Sequence, residues 1–389
     1  MSNMKLLEIK DLNKTFDKKE ILKDVNLPSG ITVVRQGIFR DCKALTAIDL
    51  PKGITAIENS AFEACSSLAS IIVPEGVETI GAWAFYGCSA LASADIPEGV
   101  TSIGEAAFGG GCTSLTSFIM PDSVTTLGGA VFEYCSALTD IKLSENLTTL
   151  PNNSYGWYGS QKNGIFEGCT SLTSVTIPES VTSLGIETFN GCTSLEKVTL
   201  SSNITSIGNS AFYNCTSLAE ITIPDGVAIF DSYLFYNCTS LAKVNFSEGS
   251  VLSAINPYAF YGCTALSGIT LPETLTKIEY NAFESSGLEA IAIPDSVSAL
   301  GSSAFYRCAS LKTANVPASL VTLPESVFNS CTALETVTFA EESALTTINN
   351  SAFANCKSLS FVDITALRNA GEATFINCTN LKTIKNGKY

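Results

Sequence analysis

Residues 192–214 read CTSLEKVTLSSNITSIGNSAFYN, and residues 215–237 read CTSLAEITIPDGVAIFDSYLFYN. The two stretches align without a gap, so a 23-residue unit follows itself directly. A period of this size is the mark of stacked coils, because a single coil cannot bury its own apolar face. Working outward in both directions, the same frame holds from about residue 16 to residue 385. Its consensus is C-x-x-L-x-x-[IV]-x-[IL]-P-x-x-[VIL]-x-x-[IL]-x-x-x-A-F-x-x. A phenylalanine marks the register in each coil, at steps of 22 to 25 residues; the exception is the 34-residue step from Phe132 to Phe166. All 14 cysteines fall at one point of the frame.

The coil that starts at Cys169 shows what the frame predicts. Leu172, Val175 and Ile177 point inward, and Thr173, Ser174 and Thr176 do not. That alternation is the period of a β-strand, and β-branched residues favour it. Pro178 ends the strand because it has no N–H for a ladder. Val181, Ser183 and Leu184 predict a second, shorter extended segment, and Thr188 to Gly191 turn the chain back. The expected fold class is a repeat solenoid of about 16 coils, mainly parallel β with short turns or helical bends. Residues 1–21 are expected to cap it, with residues 22–389 as the solenoid.

Composition narrows the function. Hydrophobic residues make up 46% of the chain and charged residues 15%, which suits a continuous core. The net charge is −15, so an acidic body would repel phosphate backbones and no nucleic-acid partner is expected. Histidine is absent, which removes the commonest general base and metal ligand. No C-x2-C pair, nucleophile elbow or P-loop occurs, so no enzyme activity, metal or cofactor is expected. The pair Glu341 and Glu342 reads as solvated charge. No apolar run is long enough to span a membrane. The N-terminus does not read as a signal peptide.

The cysteine column reads as buried structural thiols, since free cysteine behaves as a small hydrophobe. Ser286 interrupts it in a coil one residue short. Three features are candidate partner-binding sites. The first is an insertion at 151–164, carrying Tyr155, Trp157 and Tyr158 among Asn, Gly and Ser, a composition like that of a paratope. The second is the outward file of the main strands, which runs Asp49, Ile72, Asp95, Ile119, Lys142 and then Thr-rich positions; Ile72 and Ile119 are apolar where water is expected. The third is tyrosine directly after the marker phenylalanine, at Tyr86, Tyr213, Tyr236, Tyr261 and Tyr306, with Tyr213 and Tyr236 on consecutive coils.

Cys-Thr-Ser-Leu recurs from Cys112, Cys169, Cys192, Cys215 and Cys238, and Ile-Pro or Leu-Pro closes many strands. In these motifs the chain resembles the leucine-rich repeats of the bacterial surface-antigen (BspA-like) type. The resemblance implies a curved, right-handed horseshoe with a parallel sheet on one face. It also implies a non-catalytic adhesion or interaction module at the cell surface or secreted, binding a protein or glycan ligand, here expected as a monomer. The alternative is an intracellular structural scaffold in the cytoplasm. Residues 5–27 also resemble the opening strands of an ABC-transporter ATPase, in which an aromatic near Phe16 would stack on adenine. The phosphate-binding loop that should follow is absent, so a nucleotide-binding remnant is the weakest alternative.

Overall fold

The computed structural model describes residues 25–28, 30–152, 163–339, 343–364 and 368–386. The expected cap, the ATPase-like segment up to residue 24, the Glu341–Glu342 pair and the tip of the insertion lie outside them. Two compact units divide between Ser180 and Val181. Each is a parallel β-solenoid, and together they hold about 15 coils of about 23 residues.

The inward–outward alternation of the sequence becomes the first strand of each coil. In Ser70–Ile72, Ser93–Asp95, Ser117–Ile119 and Asp140–Lys142 the middle residue is buried and its neighbours are exposed. Pairing is parallel and in frame, with Ser70 opposite Ser93, Ile71 opposite Ala94 and Ile72 opposite Asp95. The strand Ser174–Thr176 stops two residues before Pro178, as the missing N–H requires. Second strands build their own ladders. In the first unit Val33–Val34, Ala56–Ile57, Thr79–Ile80, Ser102–Ile103 and Thr126–Leu127 form one five-stranded sheet. In the second unit the first strands from Ala290–Ala292 to Thr383–Asn386 form a five-stranded parallel sheet of their own.

The expected helical bends are absent: among the described residues the marker segment is a chain of turns, with no helix. The reason is in the backbone. Ser60 and Ala64 flank Phe62 with φ of 57° and 58°, and the same pair of left-handed residues recurs at Ser210 and Asn214 and at Tyr233 and Asn237. Left-handed residues break an α-helix. They also turn alternate N–H groups along the stack. Ser60, Phe62 and Ala64 donate to the carbonyls of Ala82, Ala84 and Tyr86 in the next coil, at 2.8, 2.8 and 2.7 Å. The turn therefore stacks as a third ladder that pairs these N–H groups. Asn suits these positions because it tolerates the left-handed region.

The marker phenylalanines stack through the core. Phe39, Phe62, Phe85 and Phe108 lie 5.2, 5.2 and 5.1 Å apart, with planes within 10°. The step from Phe108 to Phe132 opens to 6.1 Å, because Phe118 enters edge-on at 5.1 and 4.8 Å from the two rings. Across the insertion the file continues, with Phe132 and Phe166 at 5.8 Å and the Phe132 N–H bonded to the Ile165 carbonyl. The extra residues therefore leave the core in register.

The cysteine file has a specific partner. The Cys65 thiol donates to the carbonyl of Phe39, one coil earlier, at 3.0 Å. Cys88, Cys112, Cys135 and Cys169 repeat the bond in the first unit, and Cys215, Cys238 and Cys263 in the second, at 3.0 to 3.3 Å. A small apolar side chain with a weak donor fills the space and pairs a carbonyl that stacking would otherwise bury. Ser286 stands in for it, its hydroxyl 3.3 Å from the Cys308 sulfur. All 14 thiols are free. Burial pushes the buried ones up, as at Cys215 and Cys263. Cys378 is half-exposed, and the Cys356 thiol bonded to it lowers its pKa. Thiol labelling of the native chain should therefore modify Cys378 and Cys42, the half-exposed pair, and spare the rest until denaturant is added. A mass-spectrometric map showing uniform native labelling would contradict this packing.

Candidate binding surfaces

The main strand bares alternate side chains on a rigid ladder. In the first unit Ile72 and Ile119 are 69% and 68% exposed, values that leave almost no packing role for either. Asp95 stands opposite Ile72, and Lys142 opposite Ile119. Lys142 also lies 3.7 Å from Asp122. Two apolar side chains thus sit among charged ones, Ile72 beside Asp95 and Ile119 beside Lys142, on an exposed face, as their alternation predicts.

In the second unit the corresponding face is polar. Asn245 donates to the Thr222 hydroxyl at 3.4 Å, and the Thr338 hydroxyl lies 3.0 Å from the Asn315 carbonyl oxygen. A shallow pocket of about 440 Å³ opens at its rim, lined by Lys197, Thr199, Glu220, Thr222, Asp225 and Ser247 among others. Asp225 accepts a hydrogen bond from Ser247. The carboxylates that follow the strands have structural partners too. Glu98 accepts from the N–H groups of Asp122 and Ser123 at 3.3 and 3.2 Å, and Asp122 from that of Glu145 at 3.1 Å. Each acid therefore holds the turn of the next coil.

Tyr213 and Tyr236 come together as their spacing predicts, with ring centres 4.7 Å apart and planes within 2°. Tyr261 extends the file at 4.5 Å. Burial, then the neighbouring Tyr261 and Tyr213 hydroxyls, push the Tyr236 pKa up to about 12. A second file, not read from the sequence, runs beside the first: Tyr233 and Tyr258 stack at 5.0 Å, and Tyr280 meets Tyr258 edge-on at 5.5 Å. Its signal was the pattern Y-x-F-Y at 233–236 and 258–261. Of the five tyrosines that directly follow a marker phenylalanine, two fall outside these files. Tyr306 is separated from Tyr261 by Glu284 and carries Arg307 4.9 Å over its ring. Tyr86 has Glu63 and Gly109 at the equivalent positions of the adjacent coils. Tyr155, Trp157 and Tyr158 lie outside the described residues.

Among the described residues no three His, Cys, Asp or Glu side chains converge on a metal site. No described helix is long and apolar enough to cross a membrane.

The family description "BspA type Leucine rich repeat region (6 copies)" matches residues 9–139, 159–254 and 253–382. The chain belongs to the BspA-type leucine-rich repeat family. The stretch the match skips, 140–158, contains the start of the insertion. A leucine-rich repeat protein from Bacteroides ovatus is similar to this BspA-type chain with a TM-score of 0.61 at 25% identity, over 94% of this chain and 88% of that one. The pneumococcal vaccine antigen PcpA is similar in fold, with a TM-score of 0.50 at 18% identity over 90% and 88% of the two chains. No curated protein matches the chain.

Proposed function

We propose that this BspA-type protein is a non-catalytic interaction module of the cell surface. It binds a protein or glycan partner through the exposed faces of its repeats. The observation that carries this reading is the pair Ile72 and Ile119, exposed on a rigid strand face where nothing in the fold uses them. An apolar pair on a preformed ladder binds with little loss of conformational freedom.

The test is a binding screen of the whole chain against extracellular proteins and glycans, repeated with the double variant Ile72→Ser, Ile119→Ser. Both residues are exposed, so folding should be unchanged by circular dichroism. Affinity for the strand-face ligand should fall at least about tenfold, since burying one such side chain contributes roughly 1.5–3 kcal/mol. A ligand bound equally well by the double variant would sink this face as the binding site.

A further inference from the structure

Six of the 12 tyrosines lie on one turn edge of the second unit, in two adjoining files. Tyr233 and Tyr236 are 5.7 Å apart and tilted by 53°; Tyr258 and Tyr261 are 6.1 Å apart and tilted by 58°. The rings are already ordered against one another, so a partner need not immobilise them. Tyrosine edges of this kind are enriched at protein interfaces and in binding hot spots.

How the rings stack decides what they can bind. The stacked pairs turn their faces on each other at 4.5 to 5.0 Å, and Tyr280 meets Tyr258 edge-on at 5.5 Å, so edges and hydroxyls line most of the surface left for a ligand. A sugar packs its C–H face on an aromatic face, which these files withhold. Hydroxyl donors and ring edges, which carry the positive end of the quadrupole, suit carbonyl oxygens. The polypeptide conformation that offers every carbonyl is polyproline II, which has no internal hydrogen bonds. Its turn is three residues and about 9.3 Å. Two coil steps, 4.7 and 4.5 Å from Tyr213 to Tyr236 to Tyr261, have the same length. Charge adds a further condition. The turn segments 185–191, 208–214, 231–237, 256–262 and 279–285 carry Glu187, Asp231, Glu279 and Glu284 and no lysine or arginine; Lys277 already pairs with Glu279 and Glu284 is buried, so Glu187 and Asp231 are the carboxylates left to meet a cation.

We infer that this tyrosine edge binds a proline-rich segment of a partner protein in the polyproline II conformation, with basic residues flanking its prolines. Carbonyls one turn apart accept from hydroxyls two coils apart, proline rings cover the ring edges, and the flanking cations face the carboxylates. This is the low-entropy mode in which aromatic surfaces take proline-rich ligands. The inference rests on the interaction-module reading and names a partner for a different surface.

The experiment measures fluorescence anisotropy of a labelled peptide of arginine-flanked P-x-x-P repeats with the whole chain. A scrambled peptide of the same composition, with the three-residue spacing broken, is the control. The P-x-x-P peptide should bind about tenfold more tightly than the scrambled one. The variant Tyr213→Phe, Tyr261→Phe keeps the stack and removes the two hydroxyls that lie two coils apart. It should weaken binding by about fivefold per hydroxyl, the equivalent of one ordinary hydrogen bond each. Ile72→Ser, Ile119→Ser should leave this peptide's affinity unchanged, so loss of the strand-face reading and loss of this one are separable. Equal binding of both peptides, no effect of the phenylalanine variant, or binding only of a neutral β-glucan oligosaccharide would overturn the inference.

Discussion

Replacing Phe235 by alanine should destabilise the protein by about 4 kcal/mol, within the range for emptying a buried aromatic site. Phe235 is fully buried. Its ring stacks on Phe212 at 5.4 Å and Phe260 at 5.3 Å, and Phe230 meets it edge-on at 5.9 Å. The neighbours cannot close the gap, because the turn ladder fixes each coil: the N–H groups of Phe235 and Phe212 donate to the carbonyls of Ala259 and Leu234, at 2.8 and 3.0 Å. The lost terms are the burial of the ring and two stacked pairs, each worth roughly 0.5–1.5 kcal/mol beyond burial. In a repeat array the damage begins locally. Hydrogen exchange should therefore rise first in the coils around residues 212–260, before the urea midpoint of the whole chain falls. A loss below about 1 kcal/mol would mean that the phenylalanine file is not what holds the coils together.

Gly128→Ala should be nearly as damaging, though alanine is ordinarily the better residue. A Cβ at Gly128 would stand 2.3 Å from the Glu105 nitrogen, 2.5 Å from its Cα and 2.6 Å from the Gly104 carbonyl carbon. All three are backbone atoms of the preceding coil, so no side chain can move aside. Gly104 meets Ala82 and Gly81 in the same way, at 2.4 and 2.6 Å. The coils must separate, and the expected loss is about 3 kcal/mol, at the upper end for overpacking. Gly268→Ala is the matched control. Nothing lies within 4 Å of its Cβ, so its effect should stay within about 0.5 kcal/mol and could be slightly favourable through the unfolded chain. Thermal denaturation of the two variants side by side decides the point, and similar melting temperatures would refute the close approach of the coils.

Much of this protein is legible in its sequence because each coil repeats one local problem. Ile71, Ile80 and Phe85 are buried, and Ser70 and Ile72 exposed, as the alternation around Pro74 predicts. The step from Phe132 to Phe166 likewise announced extra residues, and the two rings still stack across them. The turn was legible only as a reversal of the chain, not in its backbone conformation. A run such as Ser210-Ala211-Phe212-Tyr213-Asn214 is compatible with a bend of helix, and only its ladder to the next coil requires the left-handed residues at both ends. Gly128 was not legible either: Glu58, Asp231 and Asn256 occupy the same frame position elsewhere, so the need for glycine depends on how closely two particular coils approach.

The tyrosine edge divides in the same way. Tyr213 and Tyr236 could be found by their shared frame position, one coil apart. Tyr233 and Tyr258 belong beside them because the turn carries two outward positions, three residues apart, onto one edge. By itself the sequence determined the period, the inward positions and the use of cysteine as a core residue, since these follow from burying one face of a short repeat. Only the tertiary structure decided that each thiol bonds a phenylalanine carbonyl of the previous coil, and that tyrosine faces are spent on each other while their edges remain free. Those facts depend on atoms about 23 or more residues apart meeting at the spacing of stacked strands, roughly 4.8 Å.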